Sequence, residues 1–142
     1  SGVSVEPGMI LRRAHASDAA FLLRVRNDPT TRQASRTHHE ITLKEHEAWF
    51  AKTTDRIFIA EVGGVAVGTV RLTRHAGGLE INLAVAPEHR GKGYATQMIQ
   101  LGAKEAWAPV VAYVRAENDR SLKAFRRAGF VEEGTYVRFT KV

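Results

Sequence analysis

The chain has 142 residues, of which 44% are hydrophobic and 25% are charged, and this size and composition predict one globular domain over residues 1–142. It contains no cysteine and no apolar run long enough to cross a membrane, which excludes disulfides and thiolate sites, so we expect a cytoplasmic protein without a membrane partner. The net charge of +6 favours an anionic partner, but the basic residues are interspersed with acids, which favours a small polyphosphate over nucleic acid.

The N-terminal part predicts a short strand followed by a helix. Residues 9–13 are a strand candidate, and Ser17-Asp18 have the side chains that cap and begin helices. The helix is expected to run to about Asn27 and to stop at Asp28-Pro29. Residues 30–40 are polar and give no clear pattern.

A second helix is predicted to begin at Thr42, because Thr42 and Glu45 have the spacing of a capping box. His46, Trp49 and Phe50 share one stripe of this helix. Two strands, 56–62 and 65–74, should then form a hairpin, since Gly63-Gly64 suits a two-residue turn with positive φ.

The stretch 78–96 predicts a strand, a glycine-rich turn and the start of a helix. Apolar residues alternate with Glu80, Asn82 and Ala84, which indicates a strand with one strongly apolar face. After Pro87 the apolar period changes to that of a helix, so Arg90 to Ala95 forms the helix entrance.

This helix entrance has two interpretations. Its free backbone N–H groups and the positive end of the helix dipole attract anions, and basic residues at 90 and 92 would add charge around Gly91 and Gly93. Alternatively, the glycines serve only the turn geometry and the basic side chains are solvated. The turn alone does not decide between a phosphate site and a plain connection.

The C-terminal part predicts a helix from about Gly91 to Trp107, a strand over 110–115, a helix capped by Asn118 and a closing strand over 136–141. Gly129 follows the last helix as its C′ residue. The element order is therefore βααβββαβαβ, with about four helices. Short connections between these elements argue for one α+β sheet domain.

Two segments resemble the signatures of the GCN5-related N-acetyltransferase (GNAT) superfamily. Arg90, Gly93 and Ala95 match its phosphate loop, which reads Arg or Gln, two residues, Gly, one residue, then Gly or Ala. Its C-terminal signature is matched by Asn118, Ser121, an aromatic residue at 125 and Gly129-Phe130. The resemblance covers the chain in element order and favours the phosphate interpretation of the turn.

The resemblance implies a mixed, mostly antiparallel sheet that splays between the strand at 79–85 and the strand at 110–115, with acetyl-CoA in the opening. The coenzyme contacts that it implies are Leu83, Ala84, Val85, Arg90, Gly91, Lys92, Gly93, Tyr94, Ala95, Asn118, Ser121 and Phe125. No metal is expected, because the His-Glu pairs at 39 and 46 lack the second histidine of a zinc-protease motif.

For acetyl transfer, the resemblance implies that an amine attacks the thioester directly. Glu80 is the candidate general base, since family members often carry an acid there that acts through water. A solvated strand-edge role for Glu80 stays open. The family's proton-donating Tyr is replaced by Phe125, which leaves water, Ser121 or a tyrosine from elsewhere to protonate the departing thiolate.

The acceptor side resembles acetyltransferases that modify amino sugars on nucleotide carriers. Arg26, Asn27, His46 and Trp49 are the candidate acceptor residues, although His46 and Trp49 also suit ordinary helix packing. Protein N-terminal or ribosomal-protein acetylation is the alternative within the family, and a non-catalytic acetyl-CoA sensor is the alternative outside it. Monomer and homodimer both stay open.

Overall fold

The structure is a computed structural model that describes residues 8–34, 39–133 and 138–141. Short 3₁₀ turns occupy Ala16–Asp18 and Pro87–His89. The helices and strands are β1 (Met9–Arg13), α1 (Ala19–Asn27), α2 (Pro29–Ala34), α3 (Leu43–Lys52), β2 (Arg56–Val62), β3 (Val65–His75), β4 (Gly78–Val85), α4 (Tyr94–Glu105), β5 (Val110–Tyr113), α5 (Asp119–Arg127), β6 (Phe130–Glu133) and β7 (Arg138–Lys141).

The strands within the described ranges form one seven-stranded sheet in the order β1-β2-β3-β4-β5-β7-β6. Neighbouring strands are antiparallel except β4 and β5, which run parallel. The predicted α+β class with a mixed, mostly antiparallel sheet is therefore confirmed.

Two elements depart from the predicted order βααβββαβαβ. Helix α2 begins at Pro29, which the sequence interpretation took as a stop, because proline is well tolerated in the first turn of a helix. Strand β6 was not predicted, since only four residues form it and only Phe130 among them is buried. Of the predicted last strand, residues 136 and 137 lie outside the described ranges, and β7 covers 138–141.

The predicted turns and caps are mostly confirmed. Gly63 and Gly64 have φ of 58° and 78° at the hairpin turn, and Thr42 accepts the backbone N–H of Glu45 at 3.1 Å at the start of α3. The start of α1 differs from the prediction. Ser17, the predicted N-cap, lies inside the 3₁₀ turn that precedes α1. Asp18, the predicted first-turn acid, accepts the backbone N–H of residue 15 and binds Arg12 at 2.8 Å.

Different helices cover the two faces of the sheet. Leu79 and Ile81 of β4 point towards α4 and join the main core with Met98 and Ile99. Because side chains alternate along a strand, Glu80 lies on the opposite face of β4. On that opposite face a smaller core forms from Leu22, Ile57 and Ile59, with Trp49 of α3 packed against it.

The sheet opens between β4 and β5. The two strands pair only at Leu79 with Val110 and at Glu80 with Val111, although β4 continues to Val85. Beyond Glu80, β4 has no strand partner on the side of β5 among the residues that the structure describes. The fold thus contains the splay that the resemblance implied.

Candidate active site

A cavity of about 1180 Å³ lies in the opening between β4 and β5 and continues to the side chains of α1 and α3. Its lining includes Glu80 on β4, Gly93 before α4, Ser121 on α5 and Arg26 on α1. Pockets for one small molecule measure about 300 to 1,000 Å³. The cavity is therefore large enough for two ligands side by side.

The turn between β4 and α4 offers an open backbone surface. Gly91 and Gly93 have φ of 78° and 76°, values that favour glycine. Around the position that a Cβ would take at either glycine, the space is empty to 4 Å apart from the adjacent residues. Since α4 begins at Tyr94, the N–H groups of its first turn have no intrahelical acceptor. Such a turn binds phosphate well.

Two ion pairs fix this turn to α1 and to the residue that follows it. Arg90 Nη2 lies 2.7 Å from Asp28 Oδ2, and the two side chains are only 22% and 14% exposed. Arg24 Nη2 lies 2.7 Å from Glu88 Oε1 in a more exposed pair. Burial alone would raise the pKa of Asp28. The hydrogen bonds from Arg90 and from the backbone have the larger combined effect, so the pKa is lowered. The Arg90 guanidinium thus anchors the turn.

Glu80 lies on the floor of the cavity with a fixed orientation. Its side chain is buried at 9% exposure, and its Oε2 accepts a hydrogen bond from Asn82 Nδ2 at 2.9 Å. Thr73, directly opposite on β3, has a buried hydroxyl without a hydrogen-bond partner. The carboxylate therefore faces the cavity from a restricted position, as a general base requires.

Two arginines and an aromatic ring line the part of the cavity next to α1 and α3. The guanidinium carbons of Arg26 and Arg71 lie 4.6 Å and 5.8 Å from the ring centroid of Trp49. Burial, together with the charge of Arg71, lowers the pKa of Arg26. We name this wall, formed by Arg26, Arg71, Trp49 and His46, the arginine wall.

The hydrogen bond between Arg26 and His46 defines the state of the histidine. Arg26 Nη1 lies 3.1 Å from His46 Nδ1, and arginine can only donate, so Nδ1 is the acceptor and the ring proton is on Nε2. Burial first, and then the charge of Arg26, lower the pKa of His46. His46 is therefore neutral and is 1% exposed.

The cavity is strongly basic. Among its described lining residues Glu80 is the only carboxylate, whereas seven are Lys or Arg: Arg26, Arg71, Arg90, Arg115, Arg120, Lys123 and Arg127. A low-dielectric cleft lined by one sign of charge concentrates ligands of the opposite sign.

The family model of the acetyltransferase (GNAT) domain matches residues 9–131, which is most of the chain. This chain belongs to the GNAT family. The resemblance carried by Arg90, Gly93 and Asn118 is thereby confirmed.

Curated relatives match over part of their length. Mycothiol acetyltransferase from Jonesia denitrificans is 27% identical over 96% of this chain and 48% of the relative. Spermidine N(1)-acetyltransferase from Vibrio cholerae is 32% identical over 41% of this chain and 36% of the relative. The chain thus spans about half the length, or less, of these relatives.

Solved structures share the fold at low identity. Spermidine N-acetyltransferase from Vibrio cholerae, in complex with CoA and spermine, has a TM-score of 0.81 at 22% identity and covers 94% of this chain and 92% of its own. AAC(6')-Ib with ribostamycin and coenzyme A has a TM-score of 0.82 at 16% identity, with coverage of 94% and 93%.

The GNAT cavity brings together most of the residues predicted for the site. Both catalytic candidates, Glu80 and Ser121, line it, and so do three of the acceptor candidates, Arg26, His46 and Trp49. The coenzyme candidates that line the cavity are Leu83, Ala84, Val85, Arg90, Gly91, Gly93, Tyr94, Ala95, Asn118 and Ser121.

Three of the predicted residues do not line the cavity. The Asn27 side chain donates to the carbonyl of Ile41 at 2.6 Å and accepts its N–H at 2.7 Å, so it joins α1 to the segment before α3. Phe125 is buried in the core, with its ring 5.2 Å from that of Phe130. Lys92 is exposed beside the turn.

The sequence analysis missed three polar residues of this GNAT site. Arg71 and Asn82 are directly opposite each other on β3 and β4, so both side chains lie on the cavity face. Tyr113, at the end of β5, lines the cavity with its hydroxyl 2.8 Å from His75 Nε2. In both strands, polar residues alternate with apolar ones. This alternation could have placed Arg71 and Asn82 on the same face as Glu80.

The described ranges contain neither a metal-binding cluster nor a membrane-spanning helix. Within 8–34, 39–133 and 138–141, no three His, Asp or Glu residues come together as a metal-binding group. In the same part of the chain, no helix has both the length and the apolar character needed to cross a bilayer.

Proposed function

We propose that this GNAT domain transfers the acetyl group of acetyl-CoA to a primary amine of a small-molecule acceptor in a ternary complex. The observation that carries the proposal is the continuity of one cavity from the glycine turn to Glu80 and on to the arginine wall. A donor and an acceptor bound in these two parts would meet at Glu80. Relatives named as acetyltransferases and solved neighbours with bound CoA support the same activity.

The residues of the cavity fit the coenzyme. Beyond Glu80, the edge of β4 that faces β5 has no strand partner, so backbone groups of residues 83–85 are available to a ligand with amide groups. The open glycine turn suits a pyrophosphate. Across the opening, Asn118 uses its side-chain oxygen to accept the N–H of Ser121 at 3.3 Å, which fixes the start of α5.

The chain's own groups would handle the protons of the reaction. Bound acetyl-CoA supplies the thioester carbonyl that an unprotonated amine attacks. A primary amine resembling the lysine side chain, with a pKa of about 10.4, arrives mostly protonated at neutral pH. Glu80, oriented by Asn82, is the group that would take this proton, directly or through a water.

Proton donation to the departing thiolate falls to Ser121, to Tyr113 or to water. Ser121 and Tyr113 both line the cavity. A thiol with a pKa of about 8.5 is a tolerable leaving group, so a weak donor is sufficient. Phe125 has no proton to donate and lies in the core.

For the acceptor, we propose an amino sugar on a nucleotide carrier. Arg26 and Arg71, the two basic residues of the arginine wall, suit an acceptor that carries negative charge beside its amine. They suit a polycation such as spermidine poorly, although relatives of this chain are named for that acceptor. Like-charge contacts in a binding site act against the wrong ligand.

Calorimetry and a thiol-release assay test the proposal. We expect acetyl-CoA to bind and thiol to be released with nucleotide amino sugars faster than with free amino sugars, spermidine or peptides. Absence of acetyl-CoA binding at millimolar concentration would overturn the proposal. Binding without turnover on every acceptor would instead favour the acetyl-CoA sensor.

A pair of glycine variants provides a matched control for coenzyme binding. Gly91 and Gly64 both have φ of 78° and open space where a Cβ would lie, but only Gly91 borders the cavity. Gly91→Ala and Gly64→Ala should therefore lose similar stability, since both strain the backbone. Only Gly91→Ala should also weaken acetyl-CoA binding.

A further inference from the structure

We propose that the arginine wall is a subsite for an anionic group of the acceptor, with Arg26 and Arg71 as its ligands and His46 as a positioning residue. This inference rests on the proposed function, because it concerns the acceptor half of the same cavity. It adds the residues that bind the anionic group of the acceptor.

The charges of the two arginines are poorly balanced within the described residues. Arg71 forms an ion pair with Asp55, but its Nε lies 3.8 Å from Oδ2, a distance too long for a hydrogen bond, and among the described residues this buried nitrogen has no hydrogen-bond partner. Arg26 makes its described contacts with the neutral His46 and with the Trp49 ring. Two guanidinium groups over one ring therefore face the cavity with a surplus of positive charge. A bound anion would relieve this repulsion.

The wall is pre-organised to receive such an anion. His46 accepts a hydrogen bond from Arg26, and the ring of Trp49 contacts both guanidinium groups. Stacking on an aromatic ring restricts a guanidinium without using its in-plane N–H donors. The free N–H groups of the pair are thus available to an oxygen-rich anion.

The arginine wall and Glu80 are close enough to bind two groups of one acceptor. Arg71 is paired in register with Asn82, and Thr73 with Glu80, so the two pairs are one side-chain repeat apart on the same face. Such a repeat corresponds to roughly 7 Å along a strand. An amine at Glu80 and an anion at Arg71 would therefore belong to one small molecule, because both side chains line the same cavity. Two guanidinium groups offer several N–H donors, a number that suits the oxygens of a phosphate better than the two oxygens of a carboxylate.

Fluorescence of Trp49 gives a direct test that does not require turnover. The chain has two tryptophans, so Trp107→Phe leaves Trp49 as the single reporter. The protein is saturated with coenzyme A to occupy the glycine turn, and is then titrated with inorganic phosphate, UDP and acetate. We expect saturable changes in Trp49 emission, with UDP and phosphate binding more tightly than acetate. Tighter binding of acetate would assign the subsite to a carboxylate and overturn the phosphate assignment.

Variants of the wall identify its ligands. Arg71→Met and Arg26→Met should each weaken UDP binding at least tenfold, and Arg71→Lys should restore part of the affinity. The matched control is Arg56→Met, since Arg56 lies 4.0 Å over the Trp107 ring and does not line the cavity. UDP affinities that are unchanged in both wall variants, or equally reduced in the control, would overturn the subsite.

A kinetic comparison separates this inference from the proposed function. In Arg71→Met, the KM for a phosphorylated amino sugar should rise at least tenfold, while that for the unphosphorylated sugar stays unchanged. Normal turnover with no change in either KM would overturn the subsite and leave the acetyltransferase proposal intact. If acetyl-CoA does not bind, the UDP titration is carried out without coenzyme, and loss of binding in Arg71→Met would still support the anion subsite.

Discussion

The substitution Asp28→Asn is expected to loosen the glycine turn and to weaken coenzyme binding. Asp28 and Arg90 are largely buried and their side chains meet at 2.7 Å, a geometry in which a charged hydrogen bond contributes about 1.5 to 3 kcal/mol. The second anchor, Arg24 to Glu88, is 52% and 48% exposed, and exposed pairs contribute little because water screens them. The two anchors therefore predict different losses.

These free energies translate into melting temperatures. For a domain of 142 residues, 1 kcal/mol corresponds to roughly 3 °C in Tm. Asp28→Asn should thus lower the Tm by roughly 5 to 10 °C, and the control Glu88→Gln by much less. Because a displaced turn must be reordered on binding, a cost of about 1.4 kcal/mol would weaken coenzyme A binding about tenfold in Asp28→Asn.

Thermal denaturation and calorimetry with coenzyme A measure the two effects on the same preparations. Each variant is compared with the wild type at the same protein and salt concentrations, because exposed ion pairs are screened by salt. Equal losses of Tm in the two variants would refute the distinction between a buried and an exposed anchor. A coenzyme A affinity of Asp28→Asn within twofold of the wild type would refute the role of Asp28 in the turn.

Glu80→Gln should lower kcat/KM about 100-fold or more in thiol-release assays, most strongly at low pH, and an unchanged rate would exclude Glu80 as the base. Hydrogen bonding to Arg12 lowers the pKa of Asp18 from 3.8 to about 2, so Asp18 stabilises the fold above about pH 4 and this contribution is lost as the pH falls towards 2. Asp18→Asn should accordingly cost about 1 to 2 kcal/mol in urea unfolding at pH 7, and a difference as large at pH 2 as at pH 7 would contradict this linkage. A Cβ at Gly68 would lie 2.6 Å from the Ala84 carbonyl oxygen, so Gly68→Ala should cost about 1 to 3 kcal/mol in urea unfolding, and a neutral result would contradict the close packing of β3 on β4.

The sequence predicts the coenzyme half of the site well because its signals are local. The strand, the turn with Gly91 and Gly93 and the first residues of α4 are consecutive, and each has a recognisable period or residue preference. The same holds for Asn118, whose capping role depends on a residue three positions later. Local rules of strand alternation and helix capping are sufficient for these features.

The acceptor half depends on contacts that local rules do not determine. Arg90 meets Asp28 across 62 residues of sequence, and Arg71 reaches Trp49 only through the packing of α3 on the sheet. Pro29 illustrates the same limit, because a proline can end one helix or begin the next. The register of β3 on β4, which brings Arg71 beside Asn82, is likewise a property of the folded sheet.

The short parallel pairing between β4 and β5 has a consequence for how the sheet opens. Within the described residues, strand pairing between the four-stranded half and the three-stranded half is limited to Leu79 with Val110 and Glu80 with Val111, although both halves contribute to the main core. Few backbone hydrogen bonds must break for the halves to separate, so amide protons along this seam should exchange through local opening rather than global unfolding. A ligand that bridges the two strand edges would act as an additional strand, and its binding would slow hydrogen exchange on both halves at once.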